Sequence, residues 1–341
     1  MSIELAIKYA GGTERLRPHV KTHKMLEVAK LQVAAGIYKF KCATVAEAEM
    51  LGMAGAKDVL IAYPVQGPKV NRVLALIKKY PDTRFAVLID NLTSTKNIAK
   101  AAEITNQEVY VFIDLNNGHG RTGIALPQVP GLVKKAMELE KVKIIGLHCY
   151  DGHIRMASLA ERTAACQKAF RPVMELHAAI NELLGREILL VAGGSPSFSV
   201  HARHHAAECS PGTWIFWDQR YGENYQEQEF QKAAVLATRV ISKIDANTYC
   251  LDLGHKSVAS ESPFPRVAFV SPHQFAQVGH SEEHLILKSE KPDVLEPGEV
   301  LLAYPYHICP TVALYNKVQV VQNDVRIDEW EVTARARKIT V

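Results

Sequence analysis

The sequence predicts an α/β chain, a (β/α)8 barrel of the TIM type followed by a smaller all-β domain. Three observations predict it. Eight short β-rich runs alternate with amphipathic helical stretches along the first two thirds of the chain. After about Gln228 the pattern changes to strands parted by Pro, Gly and Asn turns, without long helical runs. The length of 341 residues, at about 100 to 200 residues per domain, allows two domains or one large α/β barrel with an addition. The expected division is a barrel over residues 1–227 and a β-domain over 228–341.

The β-rich runs, in order, are Leu16–Lys21, Phe40–Ala43, Val59–Tyr63, Phe85–Asp90, Val109–Leu115, Ile144–Tyr150, Ile188–Ala192 and Thr213–Trp217. Between them, stretches such as Ser94–Ile104 and Ala157–Leu184 carry apolar residues three and four apart, as crossover helices on a parallel sheet do. In the second part, Ala234–Ile241, Thr248–Leu253, His284–Leu287 and Val318–Val321 read as strands.

Composition narrows the function. Apolar residues make up 48% and charged residues 22%, which excludes disordered and collagenous chains. Forty Lys and Arg against 36 Asp and Glu give a net charge of +4, and the signs are interleaved, so no nucleic-acid partner is expected. No run approaches the 18 or so apolar residues of a membrane span, and Met1-Ser2-Ile3-Glu4 lacks the layout of a signal peptide. No membrane partner is expected, and the protein is expected to be cytoplasmic. Cys42, Cys149, Cys166, Cys209, Cys250 and Cys309 form no CxxC pair, as suits free thiols in a reducing compartment. Small-molecule chemistry is the remaining class.

In Arg17-Pro18-His19-Val20-Lys21-Thr22-His23-Lys24, strand alternation puts Arg17, His19, Lys21 and His23 on one face. A cationic face inside a barrel makes sense if Lys21, at a strand end, forms a Schiff base while its neighbours serve an anionic cofactor. A solvated edge strand fits the spacing equally well. The loops Gly193-Gly194-Ser195-Pro196-Ser197 and Ser210-Pro211-Gly212-Thr213 follow the seventh run and precede or open the eighth, where barrels often bind phosphate; ordinary turns explain such loops too. The tail of the fifth run, Asp114–Gly123, places polar groups at the same barrel mouth, where Arg121 could meet a ring nitrogen or stand as a surface arginine. The sixth ends in His148-Cys149-Tyr150-Asp151-Gly152-His153, where alternation sends His148 and Tyr150 inward and a turn at Gly152 aims His153 at the barrel mouth. His307 and Cys309 share one face if extended and could hold a divalent ion with open positions; a buried Cys beside a chance His is the bland reading. His201-Ala202-Arg203-His204-His205 reads mainly as a solvated connection.

Taken together, the Arg17–Lys24 stretch, Tyr150-Asp151-Gly152-His153, Gly193-Gly194-Ser195-Pro196-Ser197, Pro211-Gly212-Thr213, Leu251-Asp252-Leu253-Gly254-His255-Lys256 and His307-Ile308-Cys309-Pro310-Thr311 resemble the D-threonine aldolase family. That family belongs to the fold-type III pyridoxal 5'-phosphate (PLP) enzymes, with alanine racemase and eukaryotic-type D-serine dehydratase. The resemblance runs through essentially the whole chain in order. It implies a PLP-binding barrel with Lys21 as the Schiff-base lysine, Arg121 beside the pyridine nitrogen, and Tyr150 in the cofactor pocket. It further implies phosphate bound by Gly194-Ser195 and Gly212-Thr213, His153 as acid/base, and His307 with Cys309 as ligands of a divalent metal (Mn, Mg or Zn). Relatives usually work as homodimers and carry a further N-terminal segment, so this sequence is expected to begin inside the first helix, at Ser2-Ile3-Glu4.

The implied activity is PLP- and metal-dependent cleavage of D-threonine and related D-3-hydroxy amino acids to glycine and an aldehyde. Cys309 departs from aldolases that use a carboxylate there, and a thiolate favours zinc over manganese. The alternative is a dehydratase of D-serine or 3-hydroxy-D-aspartate using the same cofactors. A non-catalytic PLP-binding protein is a third reading, against which the residues after Gln228 argue.

Overall fold

A computed structural model describes residues 1–341. The chain packs as two compact units, Met1–Gly212 with Thr333–Val341, and Thr213–Val332. The boundary expected at 227/228 lies inside the second unit.

In the first unit, short runs of β-branched and aromatic residues form β1 (Lys39–Cys42), β2 (Asp58–Pro64), β3 (Arg84–Ile89), β4 (Val109–Asn116), β5 (Ile124–Ala125), β6 (Val142–Cys149), β7 (Leu189–Ala192) and β8 (Glu208–Cys209). They pair in parallel in the order β1-β2-β3-β4-β6-β7-β8, with the short β5 attached to β4. The first expected run, Leu16–Lys21, becomes the link between the two ends of this sheet. Leu16 bridges Cys209 and His19 bridges Lys41, both in parallel. The Arg17 and His19 N–H groups donate to the Cys209 and Pro211 carbonyls, and Lys41 N–H donates to Pro18, each at 2.9 Å. Pro18 has no N–H of its own, and the chain turns into a 3-10 turn at Val20–Thr22, so the ladder stops before Lys21.

Helices α1 (Ser2–Ala10), α2 (Leu26–Ala34), α3 (Val45–Met53), α4 (Pro68–Lys79), α5 (Leu92–Ile104), α6 (Val129–Met137), α7 (Leu159–Leu184) and α8 (Phe198–His204) complete the βα alternation. Their starts are written locally. Thr44 Oγ1 accepts from Glu47 N at 3.1 Å while the Glu47 carboxylate accepts from Ala43 N at 2.7 Å, two bonds that open α3. Asn91 caps α5 through Ser94 N at 2.8 Å.

One strand lies elsewhere than expected. The eighth is Glu208–Cys209, and Thr213–Trp217 is a 3-10 turn over Thr213–Ile215 followed by Trp217 at φ 47°. Buried Trp214, Ile215 and Trp217 imitate a strand's apolar run, but a left-handed residue ends any extended ladder.

In the second unit, β9 (Leu236–Lys243), β10 (Thr248–Leu251), β11 (Val267–Phe269), β12 (Phe275–His280), β13 (Leu285–Ser289) and β14 (Val300–Pro305) form an antiparallel sheet ordered β11-β14-β9-β10-β13-β12. Residues of β9, β10, β13 and β14 bury one face around Val240, Tyr249, Leu251, Leu285, Leu287 and Ala303. Two short helices, α9 (Gln219–Asn224) and α10 (Ile308–Val312), and the hairpin β15 (Lys317–Gln322) with β16 (Val325–Glu331) complete the unit. The fold class is therefore a parallel barrel-type sheet with helices, followed by an antiparallel β-domain.

Candidate active site

At the ends of the barrel strands, three cations surround one aromatic ring. Lys21 sits in the turn after the bridging segment, its N–H donating to His19 Nδ1 at 3.2 Å. Its Nζ lies 5.7 Å from the ring centre of Tyr150, the residue after β6. Arg121 Cζ lies 5.0 Å from the same centre, and Lys41 Nζ 5.6 Å. Such distances let the ring's π face attract each cation. Lys41 is only 2% exposed. Burial, then the charge of Lys21, push it down to about 7 against the opposing pull of Asp151 and Asp114.

The shared cationic face of Arg17, His19, Lys21 and His23 is not what the barrel builds. Arg17 is sealed at the opposite end, donating to Asp58 Oδ1 and Glu208 Oε2, each at 2.6 Å. His23 Nδ1 accepts from Met25 N at 3.1 Å, and burial holds its pKa down to about 3, so it is neutral. The 3-10 turn breaks the alternation on which one common face depends.

Beside Tyr150, a buried network fixes the glycine-bearing loops. Asp151 Oδ1 accepts from Ser197 Oγ at 2.7 Å, and its Oδ2 lies 2.6 Å from His201 Nε2. Gly194 N in turn donates to Ser197 Oγ at 3.2 Å, and Gly212 N donates to Ser195 Oγ at 3.0 Å. The loops after β7 and β8 are thereby tied to the end of β6. Gly193 has φ +74°, and a Cβ there would stand 2.6 Å from His201 Cδ2, so only glycine fits. A Cβ on Gly152 would stand 2.3 Å from the Tyr150 ring.

The stretch read as solvated is thus a core element: His201 is 1% exposed on α8, and Phe170 packs against the rings of both His201 and His205. Asp151, Cys166 and His201 bring three ligand-type atoms within 4.8 Å of one another. They read better as a hydrogen-bonded cluster than as a metal site. Both Asp151 oxygens are already engaged, by Ser197 Oγ at 2.7 Å and His201 Nε2 at 2.6 Å, and burial followed by Asp151 pushes the Cys166 thiol up to about 12.

A second pair flanks the mouth. His148 Nδ1 lies 2.7 Å from Asp114 Oδ1, and Asp114 Oδ2 accepts from Thr122 Oγ1 at 2.7 Å. His119 tilts onto Tyr150 at 5.2 Å between ring centres and meets His153 edge-on at 5.9 Å. Here the structure leaves buried polar atoms unpartnered: His148 Nε2, His119 Nδ1, and both side-chain polar atoms of Asn117. Unpaired donors and acceptors beside three cations, an aromatic face and two latched glycine loops fit an anionic aromatic phosphate of the PLP kind. Lys41, His119, Asp114 and the Asp151 network went unassigned in the sequence, because each depends on partners far away in the chain.

In the second unit, Cys309 Sγ lies 3.6 Å from Thr213 Oγ1, and the His307 and Cys309 side chains are within hydrogen-bonding reach of each other. The reason differs from strand alternation. Strand β14 ends at Pro305, His307 caps α10, and Cys309 lies in its first turn. His307 Nδ1 also pairs with the Glu261 carboxylate. Against burial, Cys309 and Glu261 raise His307 to about 9. Asp218 Oδ2 accepts from Ile308 N at 3.2 Å, and burial raises this carboxyl to about 6. The imidazole and thiol are donor types that suit a divalent transition metal, and they stand here as a pair, with Glu261 on the imidazole's Nδ1.

No helix is long and apolar enough to cross a membrane. Residues 3–219 match the family model described as alanine racemase, N-terminal domain, and residues 233–321 match a putative serine dehydratase domain. The chain is similar to a D-threonine aldolase of Arthrobacter sp, 28% identical over 327 residues that cover 94% of this chain and 85% of the relative. It is likewise similar to a 3-hydroxy-D-aspartate aldolase of Paracoccus denitrificans (strain Pd 1222), 27% identical and covering 95% of this chain and 85% of that protein. Among solved structures, a D-threonine aldolase from Filomicrobium marinum superposes with a TM-score of 0.88 at 26% identity, covering 98% of this chain and 92% of the other. With that model spanning more than half of its length, the chain belongs to the alanine racemase N-terminal domain family, the fold-type III PLP group that its motifs resemble.

Proposed function

We propose that this protein is a PLP-dependent lyase that cleaves D-threonine and related D-3-hydroxy amino acids to glycine and an aldehyde, with a divalent metal as second cofactor. The observation that carries the reading is the convergence of Lys21 and Arg121 on the Tyr150 ring, with His153 close by at the same mouth. The similarity to aldolases along nearly the whole chain supports it.

In this reading Lys21 would hold the cofactor through its aldehyde, and Arg121 and Tyr150 would hold its ring. Gly194, Ser195, Gly212 and Thr213 surround the phosphate, where backbone N–H groups and hydroxyls are at hand. Bound there, PLP supplies an electron sink for the bond broken at the amino acid's α-carbon. His153 takes the proton of the β-hydroxyl, as a positioned general base. His307 and Cys309 would hold the metal, whose chemistry would be that of a Lewis acid. Glu261 orients His307 through Nδ1. Free thiols throughout suit a cytoplasmic enzyme, and the working form in this reading is a homodimer.

Elimination is the second reading, favoured by Cys309 and by the match of residues 233–321 to a serine dehydratase domain. One assay separates them. Purified protein supplied with PLP and Mn, Mg or Zn is given D-threonine, and acetaldehyde and 2-oxobutyrate are measured side by side. Acetaldehyde as main product is expected; 2-oxobutyrate as main product overturns the aldolase reading in favour of dehydration.

A further inference from the structure

Lys41 lies almost wholly buried in the barrel, yet it has no carboxylate of its own. Its ammonium donates to the Gly193 carbonyl at 3.5 Å, long for such a donor. The carboxylates that face it are committed elsewhere. Asp114 serves His148 and Thr122, and Asp151 serves His201 and Ser197, all at 2.6–2.7 Å. The other charged groups around it, Lys21, Arg121, His19 and His148, are bases, while Tyr150 presents its ring and the Cys149 thiol is pushed up by burial and so stays uncharged. A buried ammonium left among cations costs stability, so the fold gains nothing from it unless an anion arrives.

The pairing register says where that anion would be. His19 on the bridging segment lies opposite Lys41, and Lys21 follows two residues later, with both lysine Nζ atoms less than 6 Å from the Tyr150 ring centre. Resting on the PLP reading above, we propose that Lys41 is the second cation of the cofactor pocket and holds the anionic oxygen next to the carbon that Lys21 binds. Two oxygens have that chemistry: the phenolate of the PLP ring, and the carboxylate of the amino acid. Lys41 is on this view a binding and positioning residue, distinct from the lysine that carries the cofactor.

Lys41→Met keeps the length of the side chain and removes the charge. Two binding arms identify the oxygen. The first titrates PLP into the metal-supplied apoprotein without amino acid, reading the dissociation constant and the pH midpoint of the lysine–PLP absorbance band. The second adds D-alanine, which has no β-hydroxyl to cleave, and reads its dissociation constant from the same band. A tenfold to hundredfold weakening, the scale of roughly one charge-assisted hydrogen bond, is expected in one arm or both. A loss in the first arm with a shifted band midpoint assigns the phenolate; a loss in the second alone assigns the carboxylate. Lys41→Arg, which keeps a charge, is expected to fall between wild type and Lys41→Met.

A third readout separates this from a structural role. Without PLP, Lys41→Met is expected to melt above wild type at neutral pH, because a buried unpaired charge is gone. Equal PLP and D-alanine binding in Lys41→Met and wild type overturns the proposal, as does a Lys41→Met chain that fails to fold. A wild-type chain that takes up no PLP overturns the functional reading and this inference with it.

Discussion

The two ends of the barrel treat buried cations in opposite ways. Where the strands start, Arg17 is fully buried and lies between Asp58 and Glu208, while Lys39 and Arg84 reach the same two carboxylates from the first residues of β1 and β3. Where the strands end, Lys21, Lys41 and Arg121 gather on Tyr150, while the nearby carboxylates serve histidines and hydroxyls. Arg17 and Lys21 are four residues apart in one segment, so composition does not separate them. Pairing does: at one end charge is matched within the fold, and at the other it is left for a ligand. This follows the division of labour in such barrels, with stability at the strand starts and chemistry at the strand ends.

Breaking the paired end has the largest expected effect. Arg17→Met leaves Asp58 and Glu208 buried without their central partner, and is expected to lower unfolding stability by about 3–5 kcal/mol. Urea denaturation of the apoprotein measures it. The sign is opposite to that expected for Lys41→Met, so equal signs in the two variants would break the comparison. Acid sharpens it. Although burial opposes it, Arg17 and Arg84 hold the Asp58 pKa below the usual carboxylate range. Its contribution is therefore present above that range and is lost as pH falls through the lowered value. The acid side of the stability curve should be shallower in Arg17→Met than in wild type.

The same contrast explains what could be read from the residues alone. Strand-forming runs are local, so six of the eight expected strands are found where the residues suggest, and a seventh, Leu16–Lys21, survives as two bridging pairs; the motifs at the strand ends are local too, and Lys21 and Arg121 do come near the Tyr150 ring. The eighth strand was not legible, because two residues, Glu208 and Cys209, carry no pattern while the Trp-rich segment after them imitates one. Lys41 was invisible for another reason. Phe40, Lys41 and Cys42 are all buried, so alternation along β1 does not mark which side chain enters the mouth. His201 was misread because its partner Asp151 is 50 residues away, and only the fold turns a polar run into a buried pair.

At the mouth, the second prediction removes a group that the fold does not need. His153 is exposed, and its role in the aldolase reading is to take the β-hydroxyl proton. His153→Ala is expected to lower acetaldehyde formation from D-threonine by roughly a hundredfold or more, the scale of losing a positioned base. The melting temperature should stay near wild type, and slow exchange of the α-proton of D-amino acids in deuterated water should survive. Near-normal acetaldehyde release rejects the assignment.

The smallest effect tests whether pairing of the Arg17 kind extends to the outer helices. Glu49 on α3 has a fully buried side chain and accepts from Thr340 N at 3.0 Å, Val341 N at 3.2 Å and Lys79 Nζ at 2.9 Å, tying the last residues of the chain to the first unit. Burial alone would raise this carboxyl, but the hydrogen bonds from Thr340, Lys79 and Val341 outweigh it and hold the pKa down to about 2. Because the folded value lies below the ordinary 4.5, the stabilisation is complete above about pH 4.5 and disappears as pH falls toward 2. Glu49→Gln keeps one acceptor oxygen but no charge, and is expected to cost about 1–2 kcal/mol at neutral pH. The loss should appear as faster amide exchange in residues 333–341 and as a melting difference that narrows on acidification. A difference unchanged between pH 7 and pH 2 would mean that shape, not charge, holds the tail.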